Sequence, residues 1–348
     1  MGNTMSGRRR ARSSSAAATP GTKAAKKPFD GTFGKNPALN RADYIVSTQS
    51  HATVVKRPGQ VAGEQFLIED CTHCNIFVLD HCTSVQIDEC HDCTIFIGPC
   101  TASLFVRNCS RMTLVCIVQQ FRTRDCSDMA ISLFSSTAPI IETSKKLRIG
   151  ACRASYVGLQ HHLDTAKFDV WVNKWSEIFD FTPAAGNWTP VEYDPSTSIL
   201  MDKLPADVAA ELGFVEVDGV LPITHGLHSR VSDQVVFVAV STGSVVAAMN
   251  LATLAASGAA ARLIQTRKFH VSPTQAKQLF GKKATTHIKH AAEAKDGIIV
   301  MEWAASEADV QALITHESVQ SHASVLFVEA PDARAKVELC WNEWKEVI

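Results

Sequence analysis

The chain has 348 residues, 46% of them hydrophobic, and a formal net charge of -1 at pH 7. This length predicts two domains, each with a sizeable core. No run of 18 apolar residues is present to form a transmembrane helix, and the near-neutral charge gives no reason to expect a nucleic-acid partner.

The N-terminal arm, residues 1–35, is predicted to be disordered. Its first 27 residues contain arginine and lysine but no acidic residue, and they begin Met-Gly-Asn-Thr-Met-Ser. That beginning fits the pattern for N-myristoylation at Gly2. One acyl chain binds a membrane only marginally, but Arg8 to Arg12 would add about 1 kcal/mol per residue near anionic lipid. The alternative is a basic arm that carries no lipid.

Residues 66–126 contain four copies of a short pattern that ends in cysteine. The copies are Phe66–Cys71, Val85–Cys90, Leu104–Cys109 and Phe121–Cys126. Their cysteines lie 19, 19 and 17 residues apart, a spacing typical of a solenoid whose coils stack on one another. We therefore expect a right-handed parallel β-helix. Residues 140–143 are expected to be a fifth copy, with Glu142 seventeen residues after Asp125.

The alternation within each copy predicts which side chains face the core. The first and third positions, Phe121 and Thr123 in the last copy, share one face because side chains alternate along a strand. The second and fourth positions then face solvent, which places Arg122 and Arg124 on the outside of a rigid sheet. A functional pair would be well held there.

The eleven cysteines suggest two possible roles, disulfide bonds and a zinc site. Disulfides are not expected in a chain without an export signal. The spacing of Cys71, Cys74, Cys90 and Cys93 fits a four-cysteine zinc site. The repeat instead places these thiols in two interior columns, one continued by Cys109 and Cys126 and the other by Met112 and Met129. A zinc site therefore remains an alternative.

Four histidines are not predicted to bind a metal, because no spacing unites them with carboxylates. They are His81, His91, His161 and His162.

The domain boundaries follow from where the repeat stops. Residues 36–195 are predicted to be the β-helix domain, closed by an aromatic-rich cap that begins near Cys152. Residues 196–230 are predicted to be a linker. Residues 231–348 alternate as β-α-β-α-β-α-β from Val235 to Glu329, with an end helix at Ala335 to Lys345. This order predicts a ferredoxin-like α+β sandwich of the split βαβ kind.

Three runs of sequence resemble the β-helical domain of the tubulin-specific chaperone C family. They are GQVAGEQFLIEDC at 59–71, QQFRTRDC at 119–126 and WSEIFDFTP at 175–183. With Gly2 and the α+β tail, the layout resembles acylated members of that family whose C-terminal domain is similar to nucleoside diphosphate kinase. The specific resemblance covers about residues 1 to 190.

The resemblance implies a GTPase-activating protein for an Arf-like small GTPase in its GTP state, of the ciliary type that releases lipidated cargo. The arginine of the family's QQFR motif is a finger supplied in trans, and it corresponds to Arg122. The motif's first glutamine corresponds to Gln119, which would brace either the finger or a glutamine of the GTPase. Arg124 and Glu142 correspond to interface or structural positions, and Phe181 to either a GTPase contact or a residue of the cap core.

The resemblance also bears on cofactors and location. It implies no intrinsic cofactor, because GTP and Mg²⁺ belong to the partner GTPase. An acylated basic arm implies the cytoplasmic face of membranes, at the plasma membrane and the ciliary base. Asn3 stands where a palmitoylatable cysteine is expected, so anchoring should depend on Arg8 to Arg12 and be more reversible.

The tail departs from the kinase that it resembles. Ser241-Thr242-Gly243 stands where Lys-Pro-Asp is expected, and no histidine has the Asn-x-x-His-Gly-Ser context of a phosphohistidine. Phosphoryl transfer by this domain is therefore not expected, and we interpret it as a partner-binding or structural unit. Two alternative functions stay open: a folding cofactor that acts on the GTP of tubulin, and a non-catalytic zinc-binding or scaffold module at a membrane.

Overall fold

The structure is a computed structural model that describes residues 39–192, 200, 202–215, 220–230, 234–258, 260–281, 285–293, 297–322, 326–329 and 332–344. The predicted basic arm and Gly2 lie outside the described residues. Within these ranges, no helix is long and apolar enough to cross a membrane.

Twelve strands between residues 45 and 190 are joined by parallel pairings into a β-helix. They are β1 (Ile45–Ser47), β2 (Thr53–Lys56), β3 (Phe66–Glu69), β4 (Asn75–Val78), β5 (Val85–Asp88), β6 (Thr94–Arg107), β7 (Thr113–Arg124), β8 (Ser127–Ser135), β9 (Ile140–Glu142), β10 (Lys145–Ala151), β11 (Phe179–Asp180) and β12 (Trp188–Pro190). The predicted parallel β-helix is confirmed.

The strands form two stacks, and β6 and β7 are long enough to take part in both. One stack pairs β1, β3, β5, the C-terminal halves of β6 and β7, β9 and β11. The other pairs β2, β4, the N-terminal halves of β6 and β7, β8, β10 and β12. The first stack is called the motif stack below, because it contains the four copies of the cysteine-ending pattern.

The register of the motif stack follows the predicted alternation. Phe66, Val85, Leu104 and Phe121 lie opposite one another and are fully buried. Burial of each large apolar side chain in this column stabilises the fold by about 1.5–3 kcal/mol. The core therefore fixes which residues of each strand face outward.

The fifth copy is present, but the predicted alignment is wrong by one residue. Glu142 lies opposite Arg124, not Asp125, so Ile141 faces the core, where it is fully buried. The reason lies at the next corner, where this coil has serine in place of cysteine. Ser144 Oγ accepts a hydrogen bond from Cys126 N at 3.2 Å and donates one to Glu142 O at 2.9 Å.

The cysteines at the ends of the four copies stabilise the corners of the coils. Each thiol donates to the carbonyl two residues before it, at 3.1–3.4 Å. The residue just before each cysteine adopts a positive φ, as at Asp70 (φ 53) and Asp125 (φ 55). This turn of the backbone directs the carbonyl that precedes it toward the thiol. These cysteines therefore act as small buried hydrogen-bond donors.

The geometry gives no support to a four-cysteine zinc site. Cys71, Cys74, Cys90 and Cys93 do not form a metal-ligand cluster in the part of the chain that the structure describes. Burial raises the pKa of Cys93 to about 11, which favours the protonated thiol over the thiolate that zinc requires.

The segment predicted as a linker packs against the β-helix. Leu204, Val208 and Phe214 share a buried cluster with Phe77 and Phe96 of the second stack. That stack presents large apolar side chains outward, which need a cover. The cap helix α1 (Leu159–Thr165) and the helix α2 (Ala206–Glu211) belong to this layer. The described part of residues 196–230 is therefore a covering layer, while the domain boundaries remain predictions.

The C-terminal region is an α/β unit with a four-stranded antiparallel sheet. The order of its strands is β14 (Arg262–Phe269), β15 (Ile298–Ala304), β13 (Val235–Ser241) and β16 (Leu326–Glu329). The helix between β13 and β14 joins two strands that are parallel to each other and are separated in the sheet by the antiparallel strand β15. The ferredoxin-like assignment stays a prediction. The elements are β13 (Val235–Ser241), α3 (Val245–Ser257), β14 (Arg262–Phe269), α4 (Pro273–Phe280), α5 (Thr285–Glu293), β15 (Ile298–Ala304), α6 (Glu307–Ile314), α7 (Glu317–Gln320), β16 (Leu326–Glu329) and α8 (Ala333–Glu338). The sequence did not predict α5, and the predicted end helix is α8 followed by a π turn at Leu339–Glu343.

The edge strand β14 packs against the cap of the β-helix. Lys268 Nζ lies 2.9 Å from Asp169 Oδ2, and Thr266 Oγ1 donates to Trp171 O at 2.8 Å. Arg267 forms an ion pair with Glu177. These contacts hold the cap segment just before β11.

Candidate functional site

Arg122 projects from the outer surface of β7 in the motif stack. Its neighbours Phe121 and Thr123 are buried, so the strand that carries Arg122 is fixed on both sides of it. The guanidinium carbon lies 5.7 Å from the centroid of the Phe105 ring, in the neighbouring coil. This cation–π contact is worth about 0.5–1 kcal/mol at an exposed site. Arg122 therefore has a defined position.

The charge of Arg122 is not neutralised within the described residues, where no carboxylate forms an ion pair with it. Its Nε is buried and has no hydrogen-bond partner. Arg107, one coil away, instead makes two hydrogen bonds to Asp88, at 2.7 and 2.6 Å. Arg124 Nε lies 3.5 Å from Asp125 Oδ2. Of these three arginines, Arg122 is the one without a carboxylate partner among the described residues.

An open depression of about 310 Å³ surrounds Arg122. Four of the predicted site residues line it: Arg122, Arg124, Glu142 and Phe181. The pairing of β7 with β9 brings Glu142 opposite Arg124, and β11 adds the next strand. The fold thus unites residues spread over some 60 positions of the sequence into one surface.

Phe181 belongs to an exposed aromatic pair and not to the core of the cap. The side chain of Phe181 is 60% exposed and that of Phe179 is 54% exposed. Their rings meet edge to face, with centroids 4.8 Å apart. The sequence analysis did not single out Phe179, although the alternation in Phe-Asp-Phe places both rings on one side of the strand. Two exposed aromatic rings beside a cation give this surface the composition that is enriched at protein interfaces.

Gln119 does not line this depression. It lies on the part of β7 where pairing with β6 is irregular, and its side chain is exposed. It lines a separate depression of about 460 Å³ together with Lys167 and Phe168 of the cap. Its carbonyl accepts hydrogen bonds from Thr137 N at 3.0 Å and Thr137 Oγ1 at 2.9 Å. The predicted bracing role of Gln119 remains a prediction.

This arrangement suits a group that is supplied to another protein. The depression is open, and the side chains that line it include two aromatic rings, three arginines and one carboxylate. What it offers is a fixed guanidinium beside an aromatic surface.

The β-helix and this site define a tubulin cofactor C domain: residues 63–181 match the family described as Tubulin binding cofactor C. More narrowly, the chain belongs to the family of Protein XRP2. It is 34% identical to Protein XRP2 of Homo sapiens over 270 residues, which cover 74% of this chain and 75% of that relative.

Two matches of lower identity each cover 42% of this chain. Tubulin-specific chaperone C of Homo sapiens is 23% identical over 149 residues, or 42% of each chain. The solved structure of Tubulin Binding Cofactor C from Leishmania major is 15% identical, with a TM-score of 0.30, and covers 42% of this chain and 88% of that one.

Proposed function

We propose that this chain activates GTP hydrolysis by an Arf-like small GTPase and supplies Arg122 as an arginine finger. The observation that carries the proposal is the unpaired guanidinium of Arg122, held on a rigid strand at the centre of an open surface. The chain itself needs no nucleotide or metal for this role, because GTP and Mg²⁺ would be bound by the partner.

The chemistry of GTP hydrolysis explains why an arginine suits this place. Negative charge builds on the oxygens of the transferred phosphoryl group and on the leaving oxygen. A planar, permanently charged guanidinium can donate two hydrogen bonds to that charge in a site from which docking has excluded water. Such a finger accelerates hydrolysis by about 10³- to 10⁵-fold, which corresponds to lowering the activation free energy by about 4 to 7 kcal/mol.

The residues around Arg122 would then bind the GTPase. Phe179 and Phe181 offer apolar area that docking would bury, and Arg124 and Glu142 offer charges of both signs. Interfaces of this kind take most of their affinity from a few aromatic and arginine side chains. We assign these four residues to partner binding and Arg122 to the reaction.

The proposal is tested by single-turnover GTP hydrolysis across a panel of Arf-like GTPases, with and without the full chain. We expect one or a few members to be accelerated by at least about 10³-fold. No acceleration of any member would contradict the proposal. A tubulin preparation serves as a parallel substrate, because the name of one relative, Tubulin-specific chaperone C, refers to tubulin. Acceleration of tubulin's GTPase alone would favour the cofactor function.

The location is part of the same proposal. Myristoylation of Gly2 together with the arginines that follow would attach the chain to the cytoplasmic face of anionic membranes, at the plasma membrane and the ciliary base. There it would meet Arf-like GTPases that release lipidated cargo from carrier proteins. Sedimentation with vesicles rich in phosphatidylserine should require both the acyl chain and low salt, and Gly2→Ala should abolish it.

Phe181→Ala is expected to weaken partner binding without slowing the chemical step. Truncation of an exposed aromatic anchor costs about 2 kcal/mol in binding, so the KM for the GTPase should rise about 30-fold, with kcat little changed. Steady-state hydrolysis at varied GTPase concentration measures both constants.

The matched control for this variant is Val157→Ala, which also truncates an exposed apolar side chain but lies outside the depression. It should leave both constants unchanged. A fall in kcat at an unchanged KM in Phe181→Ala would show that the ring acts on the reaction and not on docking.

A further inference from the structure

A buried carboxylate lies between two imidazoles where the cap meets the β-helix. Asp80 follows β4 and is completely buried. Its Oδ1 lies 3.2 Å from Nδ1 of His81 and 3.4 Å from Nε2 of His162, which belongs to α1. The three atoms lie within 4.8 Å of one another. Residues from two distant parts of the sequence thus present ligand-type atoms to one point.

We propose that Asp80, His81 and His162 bind a zinc ion. Zinc takes imidazole nitrogens at about 2.0–2.1 Å and carboxylate oxygens at about 2.0–2.2 Å in a tetrahedral arrangement. In a tetrahedron of that size, neighbouring ligand atoms lie about 3.3 Å apart. Both distances from Asp80 Oδ1 to the ring nitrogens have this length.

The groups behind the ligands hold them in position, as is usual at metal sites. Asp80 Oδ2 accepts hydrogen bonds from Val61 N at 2.8 Å and Ala62 N at 2.7 Å. Asp80 Oδ1 also accepts one from the backbone N of His81 at 2.9 Å. On the other side, Nδ1 of His162 lies 2.7 Å from the hydroxyl of Tyr156. The bond to Tyr156 fixes which ring nitrogen of His162 points at Asp80.

Charge also favours a cation at this point. A fully buried carboxylate is costly unless it is paired, and no lysine or arginine pairs with Asp80 in the described ranges. The two imidazoles are its only ion-pair partners there. A divalent cation would compensate the carboxylate directly.

The site has one side open to solvent, because the His81 side chain is 21% exposed. Three protein ligands with a fourth position for water is a common zinc arrangement. Bound there, the ion would link α1 to the coil that carries Asp80. We therefore expect it to stabilise the contact between the cap and the β-helix.

The test is zinc titration of the full chain by calorimetry after dialysis against a chelator. The wild type should bind one zinc ion, and Mg²⁺ should not replace it, since Mg²⁺ prefers oxygen ligands. His162→Gln should weaken zinc binding at least about 100-fold, and Tyr156→Phe by about 10- to 100-fold. The matched control is His161→Gln: His161 precedes His162 in the same helix but is exposed and lies outside the cluster.

Thermal unfolding with and without zinc gives a second readout. Zinc should raise the midpoint of the wild type and of His161→Gln but not that of His162→Gln. If His162→Gln does not fold, His81→Gln replaces it, because His81 is partly exposed. The proposal is overturned if the wild type binds no zinc or if zinc affinity survives both substitutions. It is also overturned if Cys90→Ser abolishes binding, which would place the metal at the cysteines.

Discussion

Arg122→Ala should remove nearly all stimulation of GTP hydrolysis, a loss of about 10³- to 10⁵-fold in the single-turnover rate at saturating chain. The loss should fall on the chemical step because, in the proposed role, the guanidinium would contact charge that is present only in the transition state. Binding of the GTPase in its GTP state should change much less, since Phe181, Arg124 and Glu142 remain, as does Phe179 against the ring of Phe181. Measuring hydrolysis and binding on the same samples separates the two effects.

A lysine at this position should not restore the activity. Arg122→Lys keeps the positive charge but loses the planar fork that donates two hydrogen bonds at once. It also loses the stacking of a flat cation on the Phe105 ring. We expect a rate much closer to that of Arg122→Ala than to that of the wild type.

The matched control is Arg148→Ala, which removes an exposed arginine from β10 in the other stack. Its rate should equal that of the wild type. If Arg122→Ala retained more than about a tenth of the stimulation, the finger would have to be another residue, and Arg124 would be the first to test. The factor of ten corresponds to about 1.4 kcal/mol, far below the contribution of a finger.

The sequence predicted the β-helix because its signal repeats. Phe66, Val85, Leu104 and Phe121 recur at a coil-sized period, and alternation assigns each to the core. The same alternation predicted that Arg122 faces outward. The one-residue error in the alignment of Glu142 arose because the fifth copy lacks the cysteine by which the other copies were aligned. Ser144 takes the place of that cysteine. A serine can donate the same hydrogen bond at the corner of a coil, so aligning Ser144 with the cysteines would have given the correct register.

Contacts between distant parts of the chain could not be predicted in this way. Asp80 and His162 meet only because the cap folds back on the β-helix, and no local pattern links them. The location of Gln119 depends on an irregularity in the pairing of β6 with β7. The packing of Leu204, Val208 and Phe214 depends on the apolar outer face of the second stack, which the alternation in the motif stack does not predict. Each of these features is a tertiary effect.

Removal of Trp175 should strongly destabilise the β-helix. Its side chain is 1% exposed and belongs to the core of the β-helix. Its Nε1 donates to Thr224 Oγ1 at 2.9 Å. Gly226 approaches so closely that a Cβ there would lie 2.6 Å from the indole. One ring therefore closes the end of the β-helix and contacts the segment that leads to the α/β unit.

Trp175→Ala should lower the free energy of unfolding by about 3–5 kcal/mol, because it leaves a large cavity and an unpaired hydroxyl on Thr224. Urea denaturation followed by circular dichroism measures this, since fluorescence would be altered by the loss of the indole itself. Trp175→Phe should cost less, because it fills part of the space and loses only the hydrogen bond and one ring.

The control for Trp175→Ala is Phe179→Ala, four residues further on. It truncates an aromatic side chain that is 54% exposed, so its stability should change by no more than about 0.5 kcal/mol, while its affinity for the GTPase should fall. A cost below about 1 kcal/mol for Trp175→Ala would mean that the end of the β-helix does not depend on this ring. Since Gly226 N donates to Ile264 O on β14 at 2.9 Å, loss of the ring should also loosen the edge strand. The α/β unit would then become more susceptible to proteolysis after residue 226, whereas the site around Arg122 would retain its strand pairing.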